Sequence, residues 1–435
     1  MAFLQPNIDL PLFQRSLPFL RWNDLSVFFS LGKGSLLNRI FCLCSFLLLF
    51  SSAVFAQHSN VQVTTLATAG GSWTVSGSGT STVHTFTPSA DNANINVSDI
   101  TNRLLGSVTP SRGSVKIVTT NGTGTQVGNV NITTAITASN IQSTVYTFTV
   151  DAAGDINVSS AINLSGSSIG YSNVASTNVV LTSSRSINLT SSINTSGSTL
   201  SYSGVGVTGS ITLTASERIY SSSGGTLDAA GGYNPSGSFV RGGDITLSAA
   251  SISLGGSINN RGYNNRSVLG DAGNIGISTT NTATTAGVND GQVSGVITGG
   301  NFTKSGAGTF ILKSVNTYIG TTTISGGTLQ LGANNSIPSV SGLVLAGGEF
   351  QSAGFNNTFA SIALSANATL RLGSGVHTLT FTNLGSFTSG TMLTIEGWQG
   401  TYANPGATGT AGKIVFNATT SATILGQLKF KNSGT

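Results

Sequence analysis

The sequence predicts an all-β chain folded as a parallel β-helix (a solenoid) behind an N-terminal signal peptide. Three observations carry this. Charged residues make up only 7% of the 435, against ~25% in an average soluble domain, while Gly, Ser, Thr and Asn fill the deficit. Short apolar–polar–apolar triplets recur along the chain between Gly- and Ser-rich turns. A short apolar run followed by small residues lies near the N-terminus.

Composition first excludes other classes. With 57 Gly and few charges the chain could be read as disordered, but disordered chains are poor in β-branched residues, and Val, Ile and Thr recur throughout. The formal charge of +5 is not a polyanion signal. Four of the 18 basic residues (Arg15, Arg21, Lys33, Arg39) and two of the 13 acidic ones (Asp9, Asp24) precede Gln57, leaving fourteen and eleven well dispersed. No run of Lys or Arg forms, so no nucleic-acid partner is expected.

Residues 1–56 read as a signal peptide with a long leader. Arg39 precedes an apolar core, Ile40 to Phe50, and Val54 and Ala56 fit the −3 and −1 places of a cleavage site that leaves Gln57 as the mature start. The core is about half the ~20 residues needed to span a bilayer, so cleavage is expected rather than anchoring, with no stable membrane span in the mature chain. The long leader, residues 1–38, reads as an extended signal or a misplaced start codon. Cys42 and Cys44, the only cysteines, lie in this core, so the mature chain relies on no disulfide.

After Gln57, residues 57–110 read as a β-rich N-terminal cap, which an open first coil requires to cover its unpaired edge. From 111 to 298 the triplets mark coils: Val130-Asn131-Ile132, Ile156-Asn157-Val158, Ile187-Asn188-Leu189, Ile211-Thr212-Leu213, Ile245-Thr246-Leu247 and Ile275-Gly276-Ile277. A weaker pulse follows most of them, at Ile136, Ile162, Ile193, Ile219 and Ile252. The uneven spacing argues against a β-sandwich. A sandwich ends after ~100 residues, whereas a solenoid absorbs variable corner loops without disturbing its stack. Asn-x-Ser/Thr sites such as Asn157, Asn188 and Asn367 are abundant, and ladders of Asn stacked inside the coils are the expected explanation for some of them.

The sharpest coil is KSGAGTFILKSVNTYIGTTTISGGTLQLG, Lys304 to Gly332. Phe310 and Leu312 alternate with Ile311, a β-branched strand ends at Ile324, and Leu329 and Leu331 share one face opposite Thr328 and Gln330. This stretch resembles the autotransporter-associated β-strand repeat. The residues that match are Lys304, Gly306, Gly308, Leu312, Asn316, Tyr318, Gly320, Thr322, Gly327, Leu329, Leu331 and Gly332. Phe310 stands in a Leu place and Ser314 where Gly is usual. The repeat is placed at 299–332, and residues 333–435 read as further β-strands and the start of a terminal module. The coils at 156–300 also resemble filamentous haemagglutinin-like exoproteins. The resemblance, together with the crossover rule, implies a right-handed helix. It further implies a passenger exported to the outer-membrane surface of a bacterium or secreted, with a structural display or adhesin-like role. Its expected partners are an extracellular glycan or protein surface and the secretion machinery.

The rival reading is an extracellular carbohydrate-active enzyme, a polysaccharide lyase or hydrolase, which needs at least two carboxylates on one face of the stack. The densest ionisable region is Asp228, Arg241, Asp244, Arg261, Arg266 and Asp271, with Tyr233 and Tyr263 nearby. Salt bridges between corner loops are the expected use of these charges. His58, His84 and His377 stand apart, and no metal-ligand spacing or calcium nonapeptide occurs. The expectation is therefore no enzyme activity, no catalytic residue, no cofactor and no metal.

Overall fold

The computed structural model describes residues 58–108, 112–121, 124–139, 144–166, 175–197, 207–232, 240–262, 272–281, 291–398, 412–419 and 421–431. The signal-peptide residues Val54, Ala56 and Gln57 lie outside this set. Among the described residues the strands form three sheets, of 14, 14 and 6 strands. We name them in the order each coil visits them. Sheet I includes Ser114–Val118, Thr147–Ala152, Ile211–Ala215 and Thr322–Ile324; sheet II includes Val130–Ile132, Ile156–Val158, Thr309–Leu312 and Thr328–Leu331; sheet III runs from Ile136–Thr137 to Ile297–Thr298. Apart from one hairpin and isolated bridges, every pairing is parallel, and each strand pairs with the strand one coil away. The fold is a parallel β-helix.

Alternation builds the core. In Ile211–Ala215 the side chains of Ile211 and Leu213 are fully buried, and Thr212 and Thr214 face outward. Register then stacks like on like: Val150, Leu181, Leu213, Leu247 and Ile277 form one continuous row inside sheet I. Burying each such side chain contributes about 1.5–3 kcal/mol, which holds the stack together without a disulfide.

The triplet series read from the sequence does not follow one sheet. Val130, Ile156 and Ile187 stack in sheet II, whereas Ile211, Ile245 and Ile275 stack in sheet I. The weaker pulse switches in the same place, from sheet III (Ile136, Ile162, Ile193) to sheet II (Ile219, Ile252). A period of two is identical on every side of the solenoid, so the pattern cannot tell one side from another. The asparagine ladder is also corrected. Asn157 Nδ2 donates to Asn131 Oδ1 (2.7 Å) and Asn188 Nδ2 to Asn157 Oδ1 (2.9 Å), but on the outer face of sheet II. The middle residue of an inward triplet must point out. Asn367 lies at a corner, where its Oδ1 accepts the Met392 backbone N–H.

Coil length changes at the repeat. Register partners in sheet I lie 31, 32, 34 and 30 residues apart from Val150 to Ile277, then 27 to Lys304, and 20, 21 and 19 through Ile324, Leu345 and Leu364. Sheet III has no strand after Ile297–Thr298 among the described residues, and later coils alternate between sheets I and II. The third side is then crossed by a short segment whose Thr317 and Ile319 N–H groups donate to Ile297 and Gly299 oxygens, both at 2.9 Å.

Corners are built from glycine where coils touch. On the way from sheet III to sheet I, a Cβ on Gly243 would lie 2.0 Å from the Gly209 carbonyl oxygen, and one on Gly273 would lie 2.0 Å from that of Gly243. At the N-terminal end, a hairpin of Gly71–Ser76 and Val83–Pro88 edges sheet I, and Ala93–Asn96 edges sheet II. A helix, Val97–Leu105, follows and buries Ile100 and Leu104; Asn96 caps its start and Gly106 (φ 83) its end. The spacing of Ile100 and Leu104 with those caps is a helix signal that a reading of the segment as β-rich passes over.

Candidate functional site

The repeat spans the first short coil and the strands of the next, with Phe302–Ser305 and then Thr322–Ile324 in sheet I and Thr309–Leu312 and then Thr328–Leu331 in sheet II. Phe310, Leu312, Ile324, Leu329 and Leu331 are all fully buried. Tyr318 is buried too and stacks on Phe302 at 5.7 Å; its hydroxyl meets Thr322 Oγ1 at 2.7 Å, which in turn meets Ser341 Oγ at 2.9 Å. Burial pushes the Tyr318 phenol well above its usual value, so it stays protonated as a core hydrogen-bonding group. Asn316 accepts from Ile297 N–H (2.8 Å) and donates to Ser336 O (2.7 Å), replacing at this corner the bonds a strand of sheet III would make. Gly306 (φ 71) and Gly327 (φ 60) turn the chain between the sheets in a conformation that other residues resist. Gly308, Gly320 and Gly332 line close coil contacts.

Lys304 interrupts an apolar row, between Ile277 on one coil and Ile324 on the next. The side chain is fully buried, and Nζ donates to the carbonyls of Ser305 (2.6 Å), Gly306 (2.9 Å) and Gly326 (3.2 Å). One ammonium thus ties two successive corner turns. Burial lowers its pKa from 10.5 to about 8. Because the folded value lies below the unfolded one, the unfolded chain holds the extra proton between those two values, and stability rises with pH across that window. Below it both states are charged and the penalty is constant. Lys304→Met is expected to flatten this rise, measured as urea midpoints at about pH 7.5 and about pH 9.5. An unchanged slope in the variant would place the titration elsewhere.

Among its described members (Asp228, Arg241, Asp244 and Arg261), the ionisable region singled out from the sequence forms a single ion pair. Arg241 and Asp244 pair at 2.8 Å within one corner, and Asp244 Oδ1 also accepts Asn274 N–H of the next coil (2.7 Å). Asp228 stands in sheet III, accepting from Ala230 N–H and Asn259 Nδ2. Arg261 is exposed, and Tyr233, Tyr263, Arg266 and Asp271 lie outside the described residues. His377 does have a partner. Its Nδ1 donates to Gly375 O (2.9 Å), so in the neutral ring Nε2 accepts from Ser352 Oγ at 2.7 Å. Both side chains are buried, and Gly412 sits so close over the ring that a Cβ there would lie 2.2 Å from it. The pair locks a corner out of reach of any substrate.

A different set of charges does converge, on the outer face of sheet II. Arg371 Nε and Nη2 donate to the two oxygens of Glu349 (2.9 and 3.0 Å), and Nη1 lies 3.0 Å from Glu396, which Lys431 approaches at 3.8 Å. These hydrogen bonds and charges raise the Arg371 pKa further. Sequence reasoning passed over this set because its members stand far apart in the chain. The short coils bring them together, since Gln351–Arg371 and Arg371–Glu396 are register partners. Among the described residues no three His, Cys, Asp or Glu side chains group as a metal site would need, and no helix is long and apolar enough to cross a membrane.

Residues 302–331 match the family model of the passenger-associated-transport-repeat. No curated protein and no solved structure shows significant similarity to the chain. The chain is therefore a β-helical protein that carries an autotransporter-associated passenger repeat, placed where its coils shorten.

Proposed function

We propose that the chain is an exported passenger, a β-helical stalk that displays its outer faces at a bacterial cell surface or in the medium in an adhesin-like role and performs no catalysis. The observation that carries this reading is the use of the repeat. Its described apolar and aromatic motif residues, and Lys304, Asn316 and Thr322, are buried in stacking or corner contacts, none presented as a reactive group. A passenger repeat goes with export, and Arg39, the apolar core and Val54-x-Ala56 supply an export signal. N-terminal sequencing of protein recovered from the producing cells is expected to start at Gln57, with the chain digested by protease added to intact cells. A cytosolic chain that retains Met1 and resists that protease would overturn the reading.

One observation favours the enzyme instead: Glu349 and Glu396 share a face. Glycoside hydrolysis needs one carboxyl to donate a proton while the other acts as base or nucleophile. Here both are committed to the Arg371 guanidinium, which leaves neither placed as the acid. No turnover is expected against acidic or neutral polysaccharides. Turnover lost in Glu349→Gln, Glu396→Gln, with the sheet circular dichroism kept, would establish the enzyme.

A further inference from the structure

We infer that a groove beside the corner where sheet I passes into sheet II binds a short acidic oligosaccharide lying along the solenoid axis. This rests on the display reading and names its ligand class. The groove is open to solvent along one side and offers about 610 Å³, within the ~300–1,000 Å³ of small-ligand sites. One wall is a single outward row of sheet II: Thr328, Glu349, Thr369, Thr394 and Lys429, each the register partner of the next. Gly348 contributes no side chain to the lining, so a ring can approach the backbone.

The chemistry of this row is specific. Parallel strands lie ~4.8 Å apart, so the wall offers one polar group at about each hexose length. The hydroxyls of Thr328, Thr369 and Thr394 form no hydrogen bond to other described residues, and Lys429 has no ion-pair partner among them. Hydroxyls that both donate and accept suit the hydroxyls of a sugar. The two ends differ: Lys429 calls for an anionic group, whereas Glu349, its charge offset by Arg371, offers none of that attraction, so a uronate carboxylate sits at the Lys429 end and neutral hydroxyls lie towards Glu349. An extended peptide fits less well. The inner strands of the row are already paired on both sides, so an added strand could pair only with the edge strand Leu428–Lys431 and not along the row.

The test is calorimetric titration of the purified full chain with galacturonic acid trimer and with galactose trimer, at low salt. The acidic trimer is expected to bind at least about tenfold more tightly than the neutral one. Lys429→Gln should abolish that preference, and Thr369→Val should weaken both trimers several-fold. Thr303→Val, outward on sheet I, should change neither. All three positions face outward, and circular dichroism checks each fold. No saturable binding of the acidic trimer, or binding unchanged in both groove variants, would overturn the inference. So would a tri-aspartate peptide that competes as well as the sugar, since charge alone would then be read. Surface exposure without sugar binding sinks only this inference; sugar binding by a chain confined to the cytosol sinks only the display reading.

Discussion

Leu329→Asp is expected to lose on the order of 5 kcal/mol of stability, while Gln330→Asp, its chain neighbour, stays near wild type. Leu329 is fully buried between Phe310 on one coil and Phe350 on the next. A carboxylate there has no described cation beside it in the row and must either protonate or break the stack. The substitution also removes the contacts of a packed leucine. Gln330 faces outward between Ile311 and Gln351, where water solvates a charge. In a solenoid each coil leans on its neighbours, so the damage should show as early melting of the short coils rather than a uniform shift. Thermal melts followed by circular dichroism decide this, and equal effects at both positions would refute the alternation.

Gly243→Ala is expected to cost about 3 kcal/mol, a large penalty for one methyl group. The added Cβ would lie 2.0 Å from the Gly209 carbonyl oxygen and 2.8 Å from its carbon, and both belong to backbone that cannot swing aside. Relief requires prying apart two coils that meet through the hydrogen bond from Ile211 N–H to Asp244 O at 3.0 Å. Gly276→Ala is the matched control. It lies outward on the same sheet, and its nearest neighbours would be Thr246 side-chain atoms at 3.9 Å, so it should be silent or slightly stabilising. Urea midpoints of the two variants measure the difference, and a small shift for Gly243→Ala would mean that the corner yields.

The contrast between those two glycines marks where local pattern stops being informative. Both read alike in the chain, as a small residue near a β-triplet. Only the neighbouring coil distinguishes a position that excludes Cβ from one open to solvent. Lys304 shows the same limit. As a matched repeat residue it was legible by type, but not its burial, because its acceptors at Gly306 and Gly326 belong to turns of two coils. The groove was less legible still. Glu349, Thr369, Thr394 and Lys429 are unremarkable single polar residues until register sets them side by side.

What the sequence by itself determined is the all-β class, the inward and outward alternation at positions such as Ile211-Thr212-Leu213 and Leu329-Gln330-Leu331, and the repeat at Lys304–Gly332. These follow from short-range physics: side chains alternate along a strand, and glycine turns punctuate it. Tertiary structure alone decided which sheet each triplet joins, where the third sheet ends, that the asparagine ladder runs outside, and which charges share a face. The reason is physical. From Val130 onward coil-to-coil register spans from 19 to 39 residues, set by corner loops whose length no local periodicity encodes, so contacts across coils exist only once the chain has closed each turn.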